Sequence, residues 1–191
     1  MQPTVHLCIQ ALSSAALVRV VPDLATLLSD TVNRGASLGF VPPIRPDDCR
    51  IYWESLCTEI DAGRRILLGA FHGDRIVGSG QLALPQQPNA AHRAEVQKLF
   101  VDAALEGQGV GRSLMAALHG TARRYGRSLV LLNTRPGGRA QRFYEDLGYR
   151  AAGVIPGHTL GAGRNRLDSM VMYQNIGDPS ARDASRSGWH A

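Results

Sequence analysis

Residues 106–114, EGQGVGRSL, place glycines at positions 107, 109 and 111 directly before a segment with helical apolar spacing. Leu114, Leu118 and Ala122 recur every fourth residue, which predicts a helix over about residues 111–125. Backbone N–H groups in the first turn of a helix lack carbonyl partners, and glycines let an anion approach them closely. The segment therefore predicts a phosphate-binding loop between a strand and a helix.

Three phosphate-binding patterns compete for this loop. A nucleotide-triphosphate loop needs a lysine directly after its last glycine, but Lys98, the only lysine of the chain, precedes the segment. The dinucleotide fingerprint G-x-G-x-x-G also fits poorly, because the third glycine comes one residue early. The third pattern, Q/R-x-x-G-x-G/A, holds the diphosphate of acetyl-coenzyme A, and Gly109 and Gly111 supply its G-x-G.

The segments around the loop predict a mixture of strands and helices in the order β-α-α-β-β-β-loop-α-β-α-β-β. On the second helix, Ile51, Leu56 and Ile60 are predicted to face inward. The strand–helix–strand unit over residues 94–134 is a crossover, which needs a parallel pair. The predicted strands cover residues 4–10, 66–71, 75–84, 94–101, 128–134, 149–156 and 166–174, and the helices residues 22–35, 45–63, 111–125 and 137–148.

Composition sets the broad class. The chain has 191 residues, 44% hydrophobic and 19% charged, which is typical of one globular domain, here expected over residues 1–176. Residues 177–191 lack an apolar pattern and are predicted to be disordered. Neither a signal peptide nor an apolar run long enough for a membrane span is evident, so we expect a cytoplasmic protein without a membrane partner.

Charge and cysteine usage limit the partners further. The net charge is +5, but the basic residues are scattered and form no nucleic-acid-binding arm. Cys8, Cys49 and Cys57 are odd in number and irregularly spaced, so neither a disulfide framework nor a zinc site is predicted. We expect no metal and no nucleic acid, and a field that favours an anionic cofactor.

Several segments resemble the GNAT family of N-acetyltransferases: EVQKLFV at 95–101, GQGVGRSLM at 107–115 and FYEDLGYR at 143–150. The match is closer to the tabtoxin-resistance acetyltransferases, through GASLGF at 35–40, QQPN at 86–89 and RAEVQKL at 93–99. The resemblance implies an α/β (α+β) fold with a twisted, mostly antiparallel mixed sheet. We expect six to seven strands, about four helices and a splay between the middle strands, 94–101 and 128–134.

The same resemblance implies acetyl-CoA as co-substrate. Backbone groups near Leu99 and Phe100 would polarise the acetyl carbonyl. Glu106 stands where the family has Gln or Arg, and we expect its side chain to turn to solvent with Gln108 and Arg112 beside the phosphates. The implied coenzyme-binding residues are Leu99, Phe100, Val101, Gly107, Gln108, Gly109, Val110, Gly111, Arg112, Ser113 and Asn133.

For catalysis, the resemblance implies Glu95 as the general base, directly or through water, and Tyr144 as the acid for the leaving thiolate. Glu95 paired with Arg93 at the surface, or Tyr144 packed in the core, would be the structural alternatives. Ser37, Phe40 and Trp53 would wall the acceptor pocket, and Trp53 has packing in the helix core as its alternative.

The sequence thus predicts an acetyltransferase acting on the amine of a small molecule, with a β-lactam amino-acid toxin or antibiotic as the candidate acceptor. The alternatives are a catalytically weak GNAT-fold module that binds or senses coenzyme A, and a protein N-acetyltransferase. A homodimer is also considered.

Overall fold

Seven strands form one sheet in the order β1-β2-β3-β4-β5-β7-β6 in the computed structural model, which describes residues 7–177. The beginning of the predicted first strand and most of the predicted disordered tail lie outside the described residues. The elements are β1 (Leu7–Leu12), α1 (Ser14–Asn33), α2 (Pro46–Asp61), β2 (Arg65–His72), β3 (Arg75–Ala83), β4 (Arg93–Val101), α3 (Val110–Arg124), β5 (Leu129–Thr134), α4 (Arg139–Asp146), β6 (Arg150–Leu160) and β7 (Arg166–Asn175).

Pairing in the sheet is antiparallel except between β4 and β5, which are parallel. The chain crosses from β4 to β5 through α3, as a parallel pair requires. The predicted mixed, mostly antiparallel sheet and the predicted crossover are therefore confirmed.

The β4 and β5 strands separate after a short paired stretch. Their ladder contains three residue pairs, the last of which joins Glu95 to Leu131. Beyond this point β4 continues to Val101 and β5 to Thr134 without pairing to each other. The middle of the sheet therefore opens toward the carboxyl ends of the two strands.

A bulge in β4 changes which side chains face which layer. Ser79 pairs with Phe100 and Gln81 pairs with Gln97, so β4 contains one residue more than β3 in this interval. Lys98 lies in the bulge with φ of 48°. As a result Phe100 packs under α1 and α2 while its neighbour Leu99 packs on the opposite face.

Two apolar layers bury the two faces of the sheet. Helices α1 and α2 cover one face through Leu17, Leu24 and Trp53, and α3 covers the other through Leu114 and Leu118. Burying such a side chain stabilises the fold by about 1.5–3 kcal/mol. Both faces of the sheet beside the opening are therefore covered by apolar layers.

The prediction that the first helix begins at Pro22 was wrong. The helix α1 begins at Ser14, because the Ser13 hydroxyl accepts a hydrogen bond from the Ala16 amide at 3.2 Å and caps the first turn. Pro22 lies inside the helix, where the buried Leu17 and Val21 extend the apolar face toward the N-terminus.

The predicted inward face of α2 was partly wrong. Ile51 is 64% exposed, and the buried residues are Cys49, Trp53 and Leu56. Their spacing of four and three residues defines one helical face, and Ile51 lies off that face. The sequence pattern was misread because Ile51 was counted as part of the apolar stripe and Trp53 was assigned to the pocket wall.

Candidate active site

A cavity of about 940 Å³ occupies the opening between β4 and β5. Its walls come from the loop after α1, both diverging strands, the glycine loop, the start of α4 and the neighbouring ends of β6 and β7. The residues that line it include Ser37, Leu38, Gly39, Glu95, Gln97, Lys98, Leu99, Phe100, Val101, Glu106, Gly107, Gly109, Val110, Gly111, Arg112, Asn133, Arg135, Arg139, Tyr144, His158 and Asp168.

The glycine loop presents unpaired backbone amides to one end of this cavity. Gly109 is the N-cap of α3 with φ of 85°, a conformation that favours glycine. The first intrahelical bond runs from the Ser113 amide to the Gly109 carbonyl at 3.0 Å, so the amides of Val110, Gly111 and Arg112 have no carbonyl of the helix to bind. These amides and the helix dipole form a phosphate cradle.

One side chain near the loop differs from the predictions. Glu106 is exposed to solvent as expected, and its carboxylate also binds the Arg139 guanidinium at 2.9 Å. Gln108 does not face the phosphate end, because its side-chain amide donates to the Ala104 carbonyl at 3.1 Å. The ion pair neutralises the one carboxylate beside the cradle, and Arg112 and Arg135 remain as cationic wall residues.

Among the other predicted coenzyme residues, Leu99, Phe100, Val101 and Gly107 line the same cavity. Ser113 is exposed on α3 and does not line it. The strand residues reach the cavity because β4 has no partner on the β5 side beyond Glu95. Backbone groups of this stretch are consequently free to pair with an extended ligand.

Glu95 and Asn133 meet at the point where the strands diverge. The Asn133 side-chain amide donates to the Glu95 carboxylate with an N–O distance of 3.4 Å. Glu95 faces the cavity and forms no salt bridge with another described residue, including Arg93. The structure therefore brings together two residues that lie far apart in the sequence and leaves the carboxylate accessible to a ligand.

Tyr144 lies in the wall of the cavity, on the α3 side of the sheet. Its side chain is 8% exposed and packs against the rings of Phe143 and Tyr149, with centroid distances of 5.2 and 5.7 Å. Burial raises the pKa of Tyr144 to about 12. The phenol therefore keeps its proton at neutral pH and is available as a hydrogen-bond donor.

The three residues predicted to contact the acceptor lie in three different environments in the structure. Ser37 lines the cavity. Phe40 lies behind the wall, in edge contact with Tyr52 at a centroid distance of 5.4 Å. The prediction for Trp53 was wrong: its side chain is fully buried beside Phe100 because it belongs to the inward face of α2.

The sequence reasoning missed the cationic part of the acceptor side. Lys98 lines the cavity, and its ammonium lies 5.3 Å from the centroid of the Phe40 ring and 5.1 Å from that of Tyr52. Beside it, Arg65 donates to Gln97 at 2.6 Å and to Gln81 at 3.2 Å. A lone lysine inside a strand was the available signal, but its direction depends on the bulge, which the sequence pattern does not reveal.

The site fits acetyl-coenzyme A in its chemistry: a cradle of free amides, cationic side chains beside it and unpaired strand edges leading to Glu95. Within residues 7–177 no cluster of His, Cys, Asp or Glu has the arrangement of a metal site. Across the same stretch, none of the helices combines the length and apolar character required to cross a bilayer.

Comparisons with known proteins agree with this geometry. The profile of the family described as "Acetyltransferase (GNAT) family" matches residues 34–149, more than half of the chain. The chain therefore belongs to the GNAT acetyltransferase family, and it is an N-acetyltransferase by that membership.

Solved structures share the fold at low identity. A candidate acetyltransferase from Salmonella typhimurium, solved with its cofactor acetyl-CoA, is 18% identical with a TM-score of 0.70 and covers 94% of this chain and 99% of its own. A ribosomal-protein-alanine N-acetyltransferase from Brucella melitensis is 18% identical with a TM-score of 0.70, covering 88% and 99%. A candidate phosphinothricin N-acetyltransferase is 19% identical with a TM-score of 0.73, covering 90% and 99%.

Proposed function

We propose that this protein transfers the acetyl group of acetyl-CoA to the amine of a small molecule. One observation carries the proposal: Glu95 and Tyr144 line the same cavity as the amide cradle of α3. A candidate proton acceptor, a candidate proton donor and a candidate diphosphate site would thus surround one space that opens between two strands.

Bound acetyl-CoA would supply the activated acetyl group. The amides of Val110, Gly111 and Arg112 would hold its diphosphate, and the unpaired edge of β4 at Leu99 and Val101 would orient the chain that leads to the thioester. The β4 amides at the bulge would donate to the acetyl carbonyl oxygen as negative charge develops there.

The proton transfers would fall to the two candidate catalytic residues. Glu95 would accept a proton from the acceptor ammonium, directly or through water, and the Asn133 amide would hold the carboxylate in place. Tyr144 would donate to the departing sulfur, a role supported by the position of its phenol in the wall of the cavity. The bond from the amine nitrogen to the acetyl carbon would form and the carbon–sulfur bond would break. Of the two protons that the ammonium loses, Glu95 would take the first and pass it to solvent, and the second would replace the proton that Tyr144 gives to the sulfur.

The pKa of the acceptor amine sets the free-energy cost of removing its proton. At pH 7 deprotonation of a lysine-like amine costs about 4.6 kcal/mol, whereas a peptide-like α-amine costs only about 1 kcal/mol. A general base such as Glu95 therefore contributes most with the more basic amines. The resemblance to tabtoxin-resistance enzymes and the fold likeness to a candidate phosphinothricin acetyltransferase both favour an amino-acid-like toxin or antibiotic.

A protein α-amine is the second candidate acceptor. The fold likeness to a ribosomal-protein-alanine N-acetyltransferase favours it. The acceptor end of the cavity carries charged groups of both signs, Glu95, Asp168 and Lys98, which suits a small zwitterion better than an extended peptide.

The test is release of free coenzyme A thiol from acetyl-CoA by the purified protein with an amine panel. The panel contains free amino acids, phosphinothricin, a β-lactam amino acid, peptides with a free N-terminal alanine and a lysine peptide blocked at its terminus. We expect turnover with free amino-acid-like amines. Turnover confined to peptides would contradict a small-molecule acceptor and favour a protein amine. A thermal shift with coenzyme A, without thiol release on any amine, would favour the binding or sensing module.

We also propose that the protein works as a cytoplasmic homodimer. The β6 strand forms an open edge of the sheet, and Val154 and Ile155 on it are 45% and 42% exposed. An exposed edge with apolar side chains favours pairing with a second copy. Light scattering on the purified protein should give twice the mass of one chain. The Val154→Lys variant should give the mass of a single chain.

A further inference from the structure

We infer that Lys98 is the specificity-determining residue for the acceptor, and that it binds a carboxylate carried by the acceptor near its amine. This inference rests on the proposed function and narrows the acceptor to amino acids and close analogues. The observations that carry it are the position of the ammonium in the cavity wall, its lack of an acidic partner and the charge pattern around it.

The lysine is half-buried in the cavity wall without a counter-ion. It forms neither a salt bridge nor a hydrogen bond with any residue of the described chain, and its ammonium instead faces the rings of Phe40 and Tyr52. Burial lowers the pKa of Lys98, the positive charge of Arg65 lowers it further, and Glu95 raises it. An anion bound at the ammonium would offset both unfavourable contributions.

The surrounding chain is shaped for the ammonium. Gly39 has φ of 80°, a conformation that favours glycine, and its Cα approaches the ammonium so closely that a Cβ atom added there would lie 2.8 Å from the Lys98 nitrogen. The bulge directs the side chain toward α2 and away from the core under α3. The Lys98 ammonium therefore lies at the acceptor end, between Gly39 and the rings of Phe40 and Tyr52.

The negative side chain of Glu95 and the positive side chain of Lys98 match the two opposite charges of a zwitterionic acceptor. Glu95 lies three residues before Lys98 on β4, which places the two Cα atoms at most about 10 Å apart at roughly 3.3 Å per residue. Two long side chains can approach the two ends of a small amino acid across this span. The amine would face Glu95, where the proton is removed, and the carboxylate would face Lys98.

The diphosphate of the coenzyme is the competing anion. The glycine loop already offers free amides, Arg112 and Arg135 at its own end of the cavity. Lys98 instead contacts Phe40, Tyr52 and Gly39, which belong to the two-helix side. This location favours the acceptor over the coenzyme.

Direct binding provides a test that does not depend on turnover. Because Lys98 is the only lysine, selective ¹³C labelling of lysine gives one side-chain signal in the full-length protein. The signal is followed during titration with coenzyme A, and then with each amino acid of the panel and its α-carboxamide, which keeps the amine and removes the charge. We expect a saturable shift with carboxylates and little or none with carboxamides.

Kinetics sharpens the assignment. Lys98→Met should raise the KM for the best amino acid by about 10- to 100-fold, the range of a charge-assisted hydrogen bond, and should leave the KM for its carboxamide within twofold. Lys98→Arg should retain part of the preference. Arg50→Met, which removes an exposed cation on α2, is the matched control and should change neither value.

The outcomes separate the inference from the proposed function. Acetyl transfer that is equally fast on amino acids and carboxamides, or a lysine signal that moves fully with coenzyme A alone, overturns the role of Lys98 and leaves the acetyltransferase proposal intact. A carboxylate-specific shift without any thiol release supports the anion site and contradicts the proposed reaction. If Lys98→Met lowers the melting temperature, the Lys98→Arg kinetics and the titration of the unaltered protein decide the question.

Discussion

The two ends of the cavity are built in different ways. The coenzyme end consists of backbone groups: amides of α3 are freed by the left-handed Gly109, and its one carboxylate is neutralised by Arg139. The acceptor end consists of side chains, Glu95 and Lys98 on β4 and Ser37 from the loop after α1, that converge from separate segments. A backbone site tolerates side-chain replacement, so variation at the acceptor end can change the substrate without loss of the coenzyme.

Replacement of the candidate base Glu95 should affect the reaction with the acceptor far more than the binding of acetyl-CoA. Glu95→Gln keeps the shape and the neighbour Asn133 but removes the proton acceptor. We expect kcat/KM for the amine to fall at least 100-fold, the usual contribution of general base catalysis, with the Kd of acetyl-CoA unchanged within twofold. Steady-state kinetics and calorimetry measure the two quantities.

Glu54→Gln is the matched control for the base, since Glu54 is exposed on α2 and pairs only with Arg50 at 3.6 Å. It should leave both quantities unaltered. A Glu95→Gln enzyme with full activity would assign the base elsewhere, with Asp168 in the cavity wall as the next residue to replace.

The proton donor lies between the two ends, so its loss should affect kcat without affecting either binding step. Tyr144→Phe preserves the packing on Phe143 and Tyr149. We expect kcat to fall by about 10- to 100-fold and both KM values to change little. Tyr125→Phe is the control, because Tyr125 is 55% exposed at the end of α3. A loss confined to KM would make Tyr144 a binding residue.

The coenzyme end should respond to backbone strain. Gly109→Ala places a Cβ on a residue with φ of 85°, which costs about 1–2 kcal/mol unless the loop relaxes. Either response weakens the amide cradle, so we expect the Kd of acetyl-CoA to rise roughly tenfold. Kinetics with saturating acetyl-CoA should recover most of the rate.

Gly120→Ala provides the contrast for the loop variant. Gly120 lies inside α3, and a Cβ added there meets no atom within 4 Å. Alanine has the better helix propensity, by up to about 1 kcal/mol, so this variant should be at least as stable as the original and bind acetyl-CoA equally. Equal affinities for Gly109→Ala and Gly120→Ala would contradict the cradle.

The contrast between the two ends also explains what could be predicted from the sequence. A left-handed glycine turn before a helix leaves a local signature, so the loop over residues 106–114 was predictable. The sheet and its crossover followed from apolar spacing. The orientation of Lys98 was not predictable, because a one-residue bulge shifts the alternation of β4. Trp53 was misplaced because the apolar face of α2 was drawn through Ile51, which is exposed, rather than through Cys49, Trp53 and Leu56.

The smallest predicted effect concerns stability rather than either end of the cavity. His119 on α3 shares a hydrogen bond of 2.8 Å with the Tyr149 hydroxyl, behind Tyr144. Burial, aided by the positive charge of Arg123, lowers the pKa of His119 from 6.5 to about 4. Below pH 6.5 the unfolded chain therefore takes up a proton that the folded chain does not accept until about pH 4, and stability falls across this window.

The size of this loss can be bounded and measured. One pKa unit corresponds to about 1.4 kcal/mol, and partial solvent exposure of the imidazole reduces the expected loss to roughly 1–2 kcal/mol. His119→Gln removes the titrating group, so the decrease in unfolding free energy between pH 7 and pH 4 should be smaller in the variant by that amount. Urea denaturation at several pH values measures the difference, with His72→Gln at the exposed β2–β3 turn as the control. Parallel pH curves for the original chain and His119→Gln would mean that the imidazole titrates alike in both states, and that the packing behind Tyr144 admits water.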